Sequence, residues 1–306
     1  MAINGYRNCW LDSLLLPRRR KRDMTKISTI FPDYHFKNDR LTLLAGPCAI
    51  ETYDTCAQVA ETLKEITDEL GINYVFKSSF DKANRSSGDS SRGAGMAHGL
   101  PILRKIKETY HVPIVTDVHE SYQCDPVAEV ADVLQIPAFL SRQTDLLVAA
   151  AKTQRVVNIK KAQFMAPEDM QGAVDKITPF SNKILLTERG SQFGYHQLIV
   201  DMTSLIRLRK MGYPVIFDAT HSVQVPGGHG NHSGGNRDFA FPLMRAALAI
   251  GVDGIFAEVH PDPPSAISDA DNQLYLNKIK PILTTAVKLF DENRQQQEEL
   301  MADGLL

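Results

Sequence analysis

The chain has 306 residues, 43% of them hydrophobic and 23% charged, with a formal net charge of −2. That is enough apolar material for one large core, and the near-neutral balance argues against nucleic acid as a partner. No apolar stretch approaches the roughly 18 residues a membrane span needs, and the leucine triplet at 14–16 is too short for a signal-peptide core. A cytoplasmic location without a membrane partner is expected.

Residues 1–40 differ in character from the rest. They hold the single tryptophan, Trp10, and a basic cluster of Arg18, Arg19, Arg20, Lys21 and Arg22. They read as an N-terminal extension, expected to be partly disordered before about residue 24, with Met24 a candidate internal start. From residue 41 onward, short apolar runs alternate with helical patterns. The first run is LTLLAGPC (41–48), followed by a helical stripe over 52–70 on which Cys56, Val59, Ala60, Leu63, Ile66 and Leu70 recur on one face, stopped by Gly71. Then come YVFKSS (74–79), a helix over 99–110, PIVTDVH (113–119) and a helix over 121–132. VLQIPA (133–138), a helix over 142–153, VVNIKK (156–161) and a helix over 167–177 follow. The series closes with KILLTER (183–189), a helix over 196–211, PVIFDATH (214–221), a helix over 236–250, GIFAEVH (254–260) and a helix over 276–291. The four cysteines form no CxxC pair, so a reducing compartment fits better than a disulfide framework, and Cys56 and Cys124 are expected to be inert core residues.

Strands that are apolar throughout, rather than alternating, are buried on both faces, and strand–helix alternation implies a parallel sheet. Eight such units match a closed (β/α)8 TIM barrel, expected over 41–295 with a tail at 296–306. An open doubly wound sheet is the alternative. It lacks support because AGPC, not a glycine-rich dinucleotide fingerprint, follows the first strand.

A barrel gathers all its strand ends at one mouth, so Cys48, Lys77, Asp117, Gln135, Lys160, Arg189, His221 and Glu258 should converge. Two kinds of chemistry result. Lys77, Lys82, Arg85, Lys160 and Arg189 suit phosphate and carboxylate oxygens through charge-assisted hydrogen bonds. Cys48, His221, Glu258 and Asp269 offer thiolate, imidazole and carboxylate to a divalent transition metal, with His260 and His119 as competing ligands. The polar stretch 79–95 suits a loop wrapping a phosphorylated substrate, and PGGHGNHSGG (226–235), with five glycines, reads as a lid.

Eight motifs then become specific: AGPCAIE (45–51), FKSSFDKANRSS (76–87), TDVHE (116–120), QIPAFLSRQTDLL (135–147), NIKKAQF (158–164), TERGSQFGY (187–195), FDATHSVQ (217–224) and EVHPDP (258–263). Over 41–291 the chain resembles the 3-deoxy-D-manno-octulosonate 8-phosphate synthases. The resemblance implies condensation of phosphoenolpyruvate with D-arabinose 5-phosphate and water, releasing phosphate, for the inner core of lipopolysaccharide. It also implies a homotetramer. By matching motif, Lys77, Lys82, Gln135, Ala138, Lys160 and Arg189 would surround phosphoenolpyruvate, with Lys160 and Arg189 on its phosphate. Asn84, Arg85 and Ser86 would take the arabinose phosphate, Arg85 reaching a neighbouring subunit's site, and Asp117 would join the substrate-binding set. Lys77, Asn84, His221 and Cys48 would be the catalytic set. Cys48, together with SDADNQ (268–273), resembles the metal-dependent branch, which implies Cys48, His221, Glu258 and Asp269 as ligands of zinc, iron, manganese or cobalt. Two competing readings are a related synthase using erythrose 4-phosphate, disfavoured by KANRSS (82–87), and a non-catalytic sugar-phosphate-binding barrel.

Overall fold

The computed structural model describes residues 24–83, 92–227 and 234–303. Eight parallel strands form its centre: β1 (Thr42–Gly46), β2 (Asn73–Lys77), β3 (Ile114–Asp117), β4 (Val133–Ile136), β5 (Val156–Lys160), β6 (Ile184–Glu188), β7 (Val215–Asp218) and β8 (Gly254–His260). Each pairs with the next, and β8 pairs with β1 from Thr42↔Gly254 to Gly46↔Glu258, closing the barrel. All eight apolar runs of the sequence supply these strands, because every strand position is covered, by helices outside and by packed side chains inside.

Eight helices surround the strands: α1 (Tyr53–Leu70), α2 (Met96–Tyr110), α3 (Cys124–Ala128), α4 (Thr144–Lys152), α5 (Met170–Ile177), α6 (Thr203–Arg209), α7 (Ala240–Ile250) and α8 (Ile279–Ala302). α1 forms as its sequence requires. Thr52 caps it by accepting the Thr55 N–H, Cys56, Val59, Ala60, Leu63 and Ile66 face the core, and Gly71 ends it at φ 69°. Burial pushes the thiols of Cys56 and Cys124 up to about 12, consistent with core residues that do no chemistry.

Two segments differ from the sequence expectation. The pattern over 196–211 yields a helix only from Thr203, because Ser191–Gln192 and Leu198–Ile199 pair as a small hairpin around Gly194. The last helix continues to Ala302, through most of the stretch expected as a tail. Residues 24–40, part of the expected N-terminal extension, pack against the barrel. A one-turn helix at Ile27–Ile30 and Phe31 insert beneath the barrel, where Ile27, Ile30 and Phe31 meet one residue from each strand, from Leu44 on β1 to Phe256 on β8. The expectations for residues before 24 lie outside the described residues, as does much of the 226–235 stretch.

One glycine sets the geometry at the mouth. A Cβ on Gly46 would stand 2.1 Å from the Lys77 carbonyl oxygen, so only glycine lets the end of β1 approach β2 this closely. The next turn then delivers Cys48 against Lys77, whose Nζ donates to the Cys48 carbonyl at 2.9 Å.

Candidate active site

The strand ends surround a cavity of about 320 Å³, into which Lys77, Lys82, Asp117, Gln135, Lys160, Arg189, His221 and Asp269 all project. Two of these lysines pack on Phe256: the Lys160 Nζ lies 3.6 Å from the ring centroid and that of Lys77 5.4 Å. Both ammonium groups thus rest on an aromatic face that attracts cations without neutralising them.

The charges alternate. Lys77 Nζ lies 2.6 Å from Glu258 Oε1, with Lys82 Nζ at 3.8 Å from the same oxygen. Lys160 Nζ donates to Asp218 Oδ2 at 2.6 Å, and the His221 Nδ1 is 2.8 Å from that oxygen. Burial alone would raise these carboxyls, yet the cations outweigh it: His221 and Lys160 hold Asp218 below the usual carboxylate range, and His221, Lys77 and Lys82 do the same for Glu258. Asp117 is likewise lowered, chiefly by Lys82 and Lys77. Lys160 goes the other way, its burial outweighing Asp218, so an added anion beside it would be welcome. Arg189 is 4% exposed and its Nη1 has no hydrogen-bond partner among the described residues. A buried guanidinium nitrogen left open at the cavity wall is a prepared anion contact.

A second layer fixes these groups. Asp117 accepts from the Ser79 hydroxyl and from Gln135 Nε2 at 2.5 Å, and Asn158 Nδ2 donates to Gln135 Oε1 at 2.9 Å. Glu188 accepts the N–H groups of Arg189 and Gly190 and the Ser204 hydroxyl, while Lys161 Nζ approaches it at 3.5 Å.

Beside the cations, ligand atoms of Cys48, Glu258 and Asp269 lie within 4.8 Å of one another. Cys48 Sγ is 3.0 Å from Asp269 Oδ2, and Gln273 fixes the turn by accepting the Cys48 N–H at 3.2 Å. Asp269 adopts φ 52°, a left-handed conformation that aspartate tolerates better than most residues. Burial, with Glu258 nearby, pushes the Cys48 thiol well above its ordinary value, whereas Glu258 Oε2 is buried with no partner among the described residues. Thiol and carboxylates, one with an orphaned oxygen, fit a divalent transition ion.

The expected four-ligand set converges only in part. His221 is drawn toward Asp218 by its Nδ1, and its Nε2 reaches Glu258 Oε1 at 3.5 Å without joining the three-residue cluster. His260 turns instead to Glu51, 3.6 Å away, and takes the Asp262 N–H. His119 lines the cavity, its Nδ1 buried without a partner among the described residues, and burial favours its neutral form. Asn84, Arg85 and Ser86 lie outside the described residues. Ala138 lines the cavity from the turn after β4. Sequence reasoning assigned no role to Asp218, Gln163 or Gln224, all at the site. Asp218, closing β7 three residues before His221, carried a signal of the same kind as the others.

Fold and site together define a closed (β/α)8 barrel whose mouth joins an anion-binding set of lysine and arginine side chains to a thiol–carboxylate cluster. The chain belongs to the DAHP synthetase I family, which matches residues 31–295. It is similar to proteins named 2-dehydro-3-deoxyphosphooctonate aldolase. That of Fusobacterium nucleatum subsp. nucleatum is 58% identical over 251 residues, 82% of this chain and 90% of the relative. Those of a Cyanothece species (54%, covering 85% and 96%) and of Desulfotalea psychrophila (52%, covering 81% and 89%) carry the same name.

Proposed function

We propose that the protein condenses phosphoenolpyruvate with D-arabinose 5-phosphate and water, giving 3-deoxy-D-manno-octulosonate 8-phosphate and inorganic phosphate. The observation that carries this reading is the convergence of Lys77, Lys82, Lys160 and Arg189 on one cavity beside the Cys48, Glu258 and Asp269 cluster. The name shared by the relatives supports it.

The reaction joins C3 of phosphoenolpyruvate to the aldehyde carbon of the sugar while water adds at C2 and phosphate leaves. Two anions must therefore approach each other. Lys160 and Arg189 take the phosphate of phosphoenolpyruvate, Arg189 through its open Nη1. Lys77 and Lys82 flank the rest of that substrate, with Gln135 and Ala138 as neutral walls. Because the three lysines are held by Glu258, Asp218 and the Phe256 ring, and Arg189 by Gln224, they need no reorganisation as the substrates meet. Asp117 serves the substrate side through Gln135 and Ser79, and Asn84, Arg85 and Ser86 keep the arabinose phosphate role that their motif suggests.

Cys48, Glu258 and Asp269 would hold a divalent ion, with His221 Nε2 as fourth ligand from its place beside Glu258. Such an ion supplies Lewis acidity that polarises the aldehyde or orients the water. The donor types suit zinc, iron, manganese or cobalt alike. A homotetramer working in the cytoplasm completes the reading; no helix among the described residues is long and apolar enough to cross a membrane.

Phosphate release from phosphoenolpyruvate, measured separately with arabinose 5-phosphate and erythrose 4-phosphate, tests the assignment. Turnover with the pentose phosphate is expected; preference for the tetrose phosphate would move the protein to the other synthase, and no turnover with either in the presence of added divalent ions would make it a binding barrel.

A further inference from the structure

The phosphate-binding arginine and the metal-cluster aspartate are joined by one side chain. Gln224, in the short strand Gln224–Val225 after β7, accepts from Arg189 Nη2 through its Oε1 at 2.5 Å and donates from its Nε2 to Asp269 Oδ1. Neither end can be reversed, because a guanidinium only donates and a carboxylate only accepts. An amide with one donor end and one acceptor end is what can satisfy both.

The bridge also prevents a competing contact. Arg189 is buried among four acids, Asp218, Asp269, Glu188 and Glu258, and a guanidinium free to move would pair with the nearest carboxylate. A pair with Asp269 would remove both the open Nη1 and an Asp269 oxygen from use. With Gln224 between them, Arg189 has a neutral partner on Nη2 and Asp269 keeps its Oδ2 turned to Cys48.

We propose that Gln224 is a positioning residue that holds Arg189 available for the phosphate of phosphoenolpyruvate and Asp269 available for the divalent ion, keeping the two from pairing. This rests on the function proposed above. Gln224→Glu places a carboxylate against Arg189 and a like charge against Asp269; Gln224→Met removes both hydrogen bonds at similar volume. Removing a bridge between buried polar groups is expected to raise the KM for phosphoenolpyruvate about tenfold in each variant, and more in Gln224→Glu, with the KM for arabinose 5-phosphate within about twofold of the original.

A second readout is independent of turnover. Zinc affinity of the metal-stripped full-length protein, measured by competition with a chromogenic chelator, should weaken about tenfold in both variants. The inference is overturned if the original protein turns over normally while both variants keep its zinc affinity and its KM for phosphoenolpyruvate. It is equally overturned if the two substrates' KM values rise together, as a general loosening of the mouth would produce. Failure of the original protein to turn over either sugar phosphate would count against the proposed function, and zinc affinity alone would then judge Gln224.

Discussion

At its lower end the barrel is closed by Ile27, Ile30 and Phe31 against one apolar residue from every strand; at its upper end the same strands finish in lysine, arginine, aspartate and glutamate. Phe256 marks the boundary, part of the apolar layer below and the surface on which Lys160 rests above. The lower half buys rigidity by excluding water. The upper half keeps buried charges that cost stability on their own and are tolerable because each is held by a counter-charge or a hydrogen-bond partner. The stability of the packed half offsets the cost of gathering charged side chains in the other half.

Several experiments can break or sharpen that division. The largest effect expected is from metal removal: a strong chelator should lower turnover by more than about 10³-fold, with recovery on adding a divalent ion and no loss of the folded barrel by circular dichroism. Unchanged rates in demonstrably metal-free protein would detach Cys48, Glu258 and Asp269 from the chemistry. Lys160→Met should cost about 10²–10³-fold in kcat/KM, because it removes the proposed phosphate contact and leaves Asp218 without its lysine. Steady-state kinetics within about threefold of the original would place the phosphate elsewhere.

Phe31→Ala probes the opposite end. It should reduce unfolding free energy by about 3–5 kcal/mol in denaturant titration while leaving KM for both substrates within about twofold, since the cavity it opens lies below Phe256. A comparable rise in KM would mean that the two ends are not separable.

The smallest effect is on pH. Asp218, Asp117 and Glu258 have folded-state values below their ordinary ones, so their stabilisation is complete above the usual carboxylate range and is lost as acid protonates them. Thermal stability should therefore fall as pH drops below about 4, and Asp218→Asn should fall less steeply. Phe31→Ala should keep the original slope, being lower at every pH. An unchanged slope in Asp218→Asn would remove that carboxylate from the acid response.

Much of this architecture could be read in advance for an identifiable reason. Parallel barrel strands are buried on both faces, so they appear as continuous apolar runs, and each run carries at or near its end a residue now found at the site. The hairpin at Ser191–Ile199 was hidden because the sequence around it also fits a helical spacing, and what decides is the pairing of two dipeptides. The plug escaped notice because three apolar residues near a basic segment carry no periodicity; they are recognisable only once there is an open barrel end to fill. Asp218 and Gln224 both lie in FDATHSVQ (217–224), but their meaning lies in contacts across strands, which spacing does not encode.

The order and kind of the eight units, and the residue types that end them, follow from the chain itself, because burial on two faces and helix periodicity are local patterns. Which lysine meets which acid, that Cys48, Glu258 and Asp269 cluster, and that Gln224 spans the two halves of the site were settled only by closure of the barrel. Closure brings together side chains more than a hundred residues apart, and electrostatic energy depends on that distance in space rather than on distance along the chain.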